Sequence, residues 1–172
     1  MEKTLRVLNE LREQRIIQQY AIGGAIAALF YMEPVLTYDL DVFIFLPPLS
    51  LSSGLITLSP IYEFLRKKGF REDKEHVIIE GIPVQFIPAY NQLVEEAVKQ
   101  AREIKYKGTK TRVLRAEYLI AIMLQTDRAK DRARIIQLLE ETSIQRQLLK
   151  KIINQHDLQG KWRTFQKKFH EK

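Results

Sequence analysis

Apolar residues fall at Leu5, Leu8, Leu11 and Ile16, the three-and-four spacing that lines one face of a helix, so the pattern predicts a first helix over residues 2–18. The period then changes. Residues 20–22 read as a short strand, Gly23-Gly24 as a turn and Ala25 to Met32 as a small-residue helix. After a turn at Pro34, Leu40, Val42 and Ile44 alternate with Asp39, Asp41 and Phe43, the period of two that marks a strand. Residues 47–60, rich in Pro, Ser and Gly, predict a loop. Ser59 as cap and Pro60 in the first turn open a helix that runs to about Lys68 and stops at Gly69. Residues 76–80 and 82–87 predict two strands around a tight turn at Glu80-Gly81. A helix over 90–102 follows, then a basic strand or turn over 103–112, then a helical region from Val113 that breaks at Thr126-Asp127. The tail, 142–172, is helical and basic, with one apolar face of Leu148, Leu149, Ile152 and Ile153 and another of Trp162, Phe165 and Phe169. Strands and helices over 1–112 followed by helices alone over 113–172 predict an α+β fold with a helical C-terminal extension.

Within this order, residues 20–46 hold the candidate chemistry. Gly23 and Gly24 let a ligand approach the main chain, and the helix after them begins with backbone N–H groups that lack intrahelical partners, a seat for phosphate. Asp39 and Asp41 share one face of a strand, about 7 Å apart at their Cα atoms from the strand rise. Two carboxylates so close repel each other, and a hard divalent ion such as Mg²⁺ would relieve the repulsion while bridging to phosphates.

The Gly-Gly turn, short helix and Asp-x-Asp strand together resemble the nucleotidyltransferase superfamily. Thr37-Tyr38-Asp39-Leu40-Asp41-Val42 is similar to the form found in minimal nucleotidyltransferases and in AbiEii-like abortive-infection or toxin–antitoxin relatives. The resemblance implies a nucleotidyltransferase-like core over 1–112, a mixed β-sheet flanked by helices, with the helical part over 113–172 packed on it. In it Asp39 and Asp41 hold Mg²⁺ and act in catalysis, Gly23 and Gly24 offer N–H groups to the β- and γ-phosphates of ATP or another NTP, and Thr37 sits in the nucleotide site. It also implies a third carboxylate on the strand over 82–87, where this chain has Gln85; an amide holds a hydrogen bond but takes no proton at neutral pH. Glu80 is the substitute acid nearest in sequence. A second match is Arg128, Lys130 and Asp131 at the start of the later helix, which implies Lys130 near phosphate and Asp131 holding structure; Met123 stands where many relatives place a lysine. A first-turn Asp also stabilises a helix N-terminus by itself.

Composition narrows the function classes. The 172 residues contain no cysteine, which excludes disulfides, cysteine metal sites and thiol catalysis and fits a cytoplasmic protein. His76, His156 and His170 show no zinc-ligand spacing and read as surface residues. No apolar run is long enough for a membrane span, so no membrane partner is expected. A net charge of +7 favours an acidic partner, an NTP or RNA. The reaction expected is transfer of a nucleoside monophosphate from an NTP to a hydroxyl on a protein, RNA or small molecule. The competing class is a catalytically reduced, NTP- or RNA-binding protein of the same fold, part of a toxin–antitoxin pair or dependent on a partner protein, which Gln85 and Met123 favour. A third reading is a basic helical scaffold that binds nucleic acid through the tail.

Overall fold

A computed structural model describes residues 1–28, 30–31, 39–47 and 57–170. Among these residues the centre is a seven-stranded mixed sheet ordered β3-β4-β5-β2-β1-β7-β6. The strands are β1 (Gln19–Ile22), β2 (Leu40–Phe45), β3 (Arg71–Asp73), β4 (His76–Ile79), β5 (Ile82–Pro88), β6 (Arg102–Tyr106) and β7 (Thr109–Val113). β2 runs antiparallel to β1 and parallel to β5, and β1 is joined in parallel to β7 through Ile22 and Val113.

Alternation sorts the sheet into two faces. Tyr20, Ile22, Leu40, Val42, Ile44, Val84 and Phe86 are buried on the face that α1 (Glu2–Glu13) covers. There the Tyr20 hydroxyl meets Asn9 and Thr111, and Thr4 donates to the Ile79 carbonyl. α3 (Ser59–Lys67) lies beside α1, tied by Lys68 to Glu10 at 2.7 Å. The opposite face carries Asp41, Phe43, Gln85 and Ile87, and packs against α2 (Gly24–Ala28), α4 (Gln92–Lys99) and α5 (Ala116–Thr126). α6 (Ala129–Glu141), α7 (Arg146–Gln155) and α8 (Gln159–His170) pack in turn around α5, which is buried on nearly every side.

Several elements differ from the sequence expectation. The first helix ends at Glu13, because Arg15 takes a left-handed backbone at φ 58°; Ile16 and Ile17 reach the core from the turn that follows. α2 is one turn, Gly24–Ala28, shorter than expected, and Met32, Pro34 and Thr37 lie outside the described residues, as does most of the loop expected over 47–60. Leu58, not Ser59, caps α3. The segment 103–112 is a hairpin of β6 and β7 turning at Lys107-Gly108, and β6 is a sheet edge. α4 begins only at Gln92, where Asn91 caps it by accepting from the Val94 N–H at 2.9 Å. The helix expected from Val113 starts at Ala116, since Val113 ends β7. The Glu80-Gly81 turn is as expected, with positive φ at both residues.

Candidate functional site

Asp41 and Gln85 are direct neighbours across the parallel β2–β5 pair, and Phe43 and Ile87 form the next rung. These four side chains floor a cavity of about 150 Å³. Gly24 closes one side, Leu119, Ile122 and Met123 of α5 line another, and Arg128, Asp131 and Arg134 at the start of α6 close it from above. Tyr90, half exposed between β5 and α4, stands at its rim.

The two glycines act differently. Gly23 donates its N–H to the Asp41 carbonyl at 2.9 Å, so that amide is used inside the protein and is not open to a phosphate, contrary to the sequence expectation. A Cβ at Gly23 would overlap the Phe43 ring. Gly24, at φ 57°, adopts a backbone that only glycine takes without cost, and a Cβ there would overlap the Asp41 carboxylate. Asp41 therefore rests directly on the Gly24 main chain.

The charges around Asp41 oppose each other. Burial pushes its carboxyl above the ordinary aspartate range and Asp39 adds to the push, while Arg128, Lys130 and Arg134 pull it back down. The basic start of α6 thus faces the acidic start of β2. Asp39 is half exposed. Lys130 is exposed and lies outside the cavity lining, yet close enough for its charge to act on Asp41.

Asp131 is fully buried and accepts from the Thr126 hydroxyl at 2.8 Å and from Arg128 Nε at 2.7 Å. It pins the guanidinium of Arg128 across the α5–α6 corner, where Asp127 is left-handed at φ 51°. Met123 is buried in the cavity wall, an apolar contact at the position where the resemblance implies a lysine.

Glu80 stands apart from this group: it sits in the β4–β5 turn, 3.6 Å from Lys3, and does not line the cavity. Two histidines are not the surface residues the sequence suggested. His156 is buried against Glu96 at 2.7 Å, and His76 lies with its Nε2 3.8 Å from Asp39 Oδ2. No spacing along the chain places His76 near Asp39, because that depends on β5 pairing with β2.

Asp39 and Asp41 offer oxygen donors, and the charge stress on Asp41 is what a divalent ion would relieve; a hard cation bound through one or two carboxylates, with water and phosphate oxygens completing its shell, fits this donor set. Among the described residues no three His, Asp or Glu side chains form a closed metal cage.

A larger cavity, about 610 Å³, lies elsewhere, between the end of α6 and the helices α7 and α8, beside Arg146, Lys150, Trp162 and Arg163. It holds no carboxylate, so volume and chemistry point to different places and the chemistry decides. No described helix is long and apolar enough to cross a membrane.

By sequence the chain matches no family model and no curated protein. By structure it is similar to an antigenic nucleotidyltransferase-like protein from Paracoccidioides brasiliensis, at 14% identity and a TM-score of 0.57, over 96% of this chain and 92% of that one. It is also similar to the antibiotic-resistance factor ANT(2'')-Ia, at 13% identity and a TM-score of 0.51, over the full length of both. The architecture is therefore the nucleotidyltransferase-like fold, a mixed sheet flanked by helices.

Proposed function

We propose that the chain is a nucleotidyltransferase, moving a nucleoside monophosphate from ATP or another NTP to a hydroxyl of an RNA, a protein or a small molecule. The observation that carries this is the facing of Asp41 and the Arg128–Arg134 pair across one cavity, with the charge of Lys130 acting on Asp41 from outside it. A lone acidic strand end has many explanations. An acidic start of β2 opposite a basic start of α6, with a glycine backbone against the carboxylate, is an arrangement suited to a cation and a polyphosphate together.

In this reading Asp39 and Asp41 hold Mg²⁺, which supplies charge neutralisation to the phosphates. Arg128, oriented by Asp131, and Lys130 bind the terminal phosphates. Gly24 keeps the Asp41 carboxylate in place. The acceptor oxygen forms a bond to the α-phosphorus as the bond to the β-phosphate oxygen breaks, pyrophosphate leaves, and the acceptor proton passes to solvent. Gln85, beside Asp41, can orient the acceptor by a hydrogen bond but takes no proton. A cavity of about 150 Å³ is below the roughly 300–1,000 Å³ that encloses a whole ligand, so it takes the phosphate end while Tyr90 at the rim offers a face to the base.

A second reading rests on Gln85 standing directly opposite Asp41: the same fold binds an NTP without turning it over, as a sensor or as half of a toxin–antitoxin pair. One experiment separates the two. The protein is incubated with each α-phosphate-labelled NTP and Mg²⁺, with RNA or cell extract as acceptor. Transfer of label to a macromolecule, lost in Asp39→Asn and Asp41→Asn, supports the enzyme. Mg²⁺-dependent NTP binding without transfer supports the sensor, and neither signal overturns both.

A further inference from the structure

The cavity of about 610 Å³ among the C-terminal helices and the Asp41 cavity lie at opposite ends of α6, a helix about 20 Å long. Its volume falls in the range of roughly 300–1,000 Å³ that takes a whole ligand. The charge around it has one sign. Arg146, Lys150 and Arg163 line it and are exposed, and residues 146–170 carry seven lysines and arginines against one carboxylate, Asp157. Trp162 lines the same cavity, half-buried and held by stacking on Phe165 with ring centroids 5.7 Å apart. Asn154 and Gln166 add amide donors and acceptors. A second cavity, about 160 Å³, adjoins the first through Thr142 and Ser143, which line both, and brings Arg102 and Arg115 to it. The carboxylate in that second lining, Glu117, is buried and already accepts from the Gln145 N–H at 2.8 Å.

We propose that the two adjoining cavities form a binding site for single-stranded nucleic acid, with a base stacked on Trp162 and phosphates held by Arg146, Lys150 and Arg163 in one cavity and by Arg102 and Arg115 in the other. A basic groove that follows the backbone, combined with an aromatic ring that takes a base, is how single strands are bound without sequence preference. A duplex keeps its base faces stacked inside, so the ring selects the single strand. An isolated nucleotide meets the cations of one cavity, whereas a strand of several phosphates reaches both. An acidic peptide would pair with the same cations but would leave the ring and the two amides without the base face and base edge that suit them. The site is separate from the Asp41 cavity and does not depend on the nucleotidyltransferase reading.

The test uses the full chain without NTP or Mg²⁺ and short strands of oligo-uridine RNA and oligo-thymidine DNA. Binding is read by anisotropy of end-labelled strands and, with unlabelled strands, by the emission of Trp162, the single tryptophan of the chain. The expected result is binding of one or both strands with quenching of Trp162, and the tighter of the two identifies the sugar preferred. Trp162→Leu should weaken binding about tenfold. Arg146→Gln and Lys150→Gln, at exposed positions where folding is not at stake, should each reduce the slope of log affinity against log salt by about 0.7, and Asp41→Asn should bind as the wild type does. Thermal unfolding of each variant confirms that it folds. No binding of either strand at low salt would overturn the proposal, as would binding that leaves Trp162 emission unquenched and is unchanged in the Arg146 and Lys150 variants. Equal binding and quenching by polyglutamate would overturn it in favour of an acidic protein segment. None of these failures touches the Asp41 site, which is tested by label transfer.

Discussion

Replacing Gly24 with Ala tests the geometry of the site at its tightest point. An alanine held at φ 57° costs about 1–2 kcal/mol in backbone strain. Its Cβ would also overlap the Asp41 carboxylate, and forcing a packed group aside costs about 1–3 kcal/mol more. A total near 3 kcal/mol corresponds to a fall in Tm of roughly 6–12 °C for a chain of this size. The informative measurement is the double-mutant cycle with Asp41→Ala. Once the carboxylate is gone, the closest remaining atom of residue 41 is Cβ at 3.1 Å, a contact that a few tenths of an ångström of adjustment relieves. Gly24→Ala should then cost only its backbone share, and the two substitutions should couple by about 1–3 kcal/mol in urea unfolding followed by circular dichroism. Additivity to within about 0.5 kcal/mol would refute the reasoning, because it would mean the Asp41 carboxylate does not rest on Gly24.

Three further outcomes are expected. Asp131→Ala leaves the Thr126 hydroxyl and the half-exposed Arg128 guanidinium without their acceptor and should destabilise by about 1–3 kcal/mol, seen as a lower urea midpoint at unchanged slope. Burial works to raise the Glu96 carboxyl, but hydrogen bonds from Tyr118 and His156 outweigh it and hold it below the ordinary glutamate range. Its contribution is therefore present above the unfolded-state pKa of about 4.3 and lost as pH falls through the lower folded value, so Glu96→Gln should flatten the acid side of a Tm-versus-pH curve. Gln85→Glu adds a carboxylate beside Asp41; Tm should drop without divalent ions and recover on adding Mg²⁺ by more than the wild type gains, and equal gains would place the cation away from β2 and β5.

What the sequence made legible follows from how local each signal is. The β4–β5 hairpin was readable because Glu80-Gly81 sets the turn by itself, and β2 because its alternation is strict. The pairing of Asp41 with Gln85 agrees with the position the family resemblance implied for a third acid. β3 was missed: Arg71–Asp73 is exposed throughout and has no apolar residue to mark a face. The early end of α1 was missed because a left-handed Arg15 has none of the usual Gly or Asn signal. Tyr90 reaches the cavity rim, and His76 comes near Asp39, through strand order and helix packing, and no spacing along the chain encodes either. The use of the Gly23 amide within the sheet is likewise a tertiary fact, since it depends on β1 and β2 lying side by side.

The central claim is that the small cavity above Asp41, and not the larger one in the C-terminal helices, binds the nucleotide. Backbone amide NMR of the labelled protein, titrated with a non-hydrolysable NTP analogue and Mg²⁺, addresses it directly. The account predicts Mg²⁺-dependent shifts concentrated at Gly24, Asp41, Tyr90 and Arg128, absent in Asp41→Asn. Shifts centred instead on Lys150, Trp162 and Arg163, unaffected by Asp41→Asn, would contradict it.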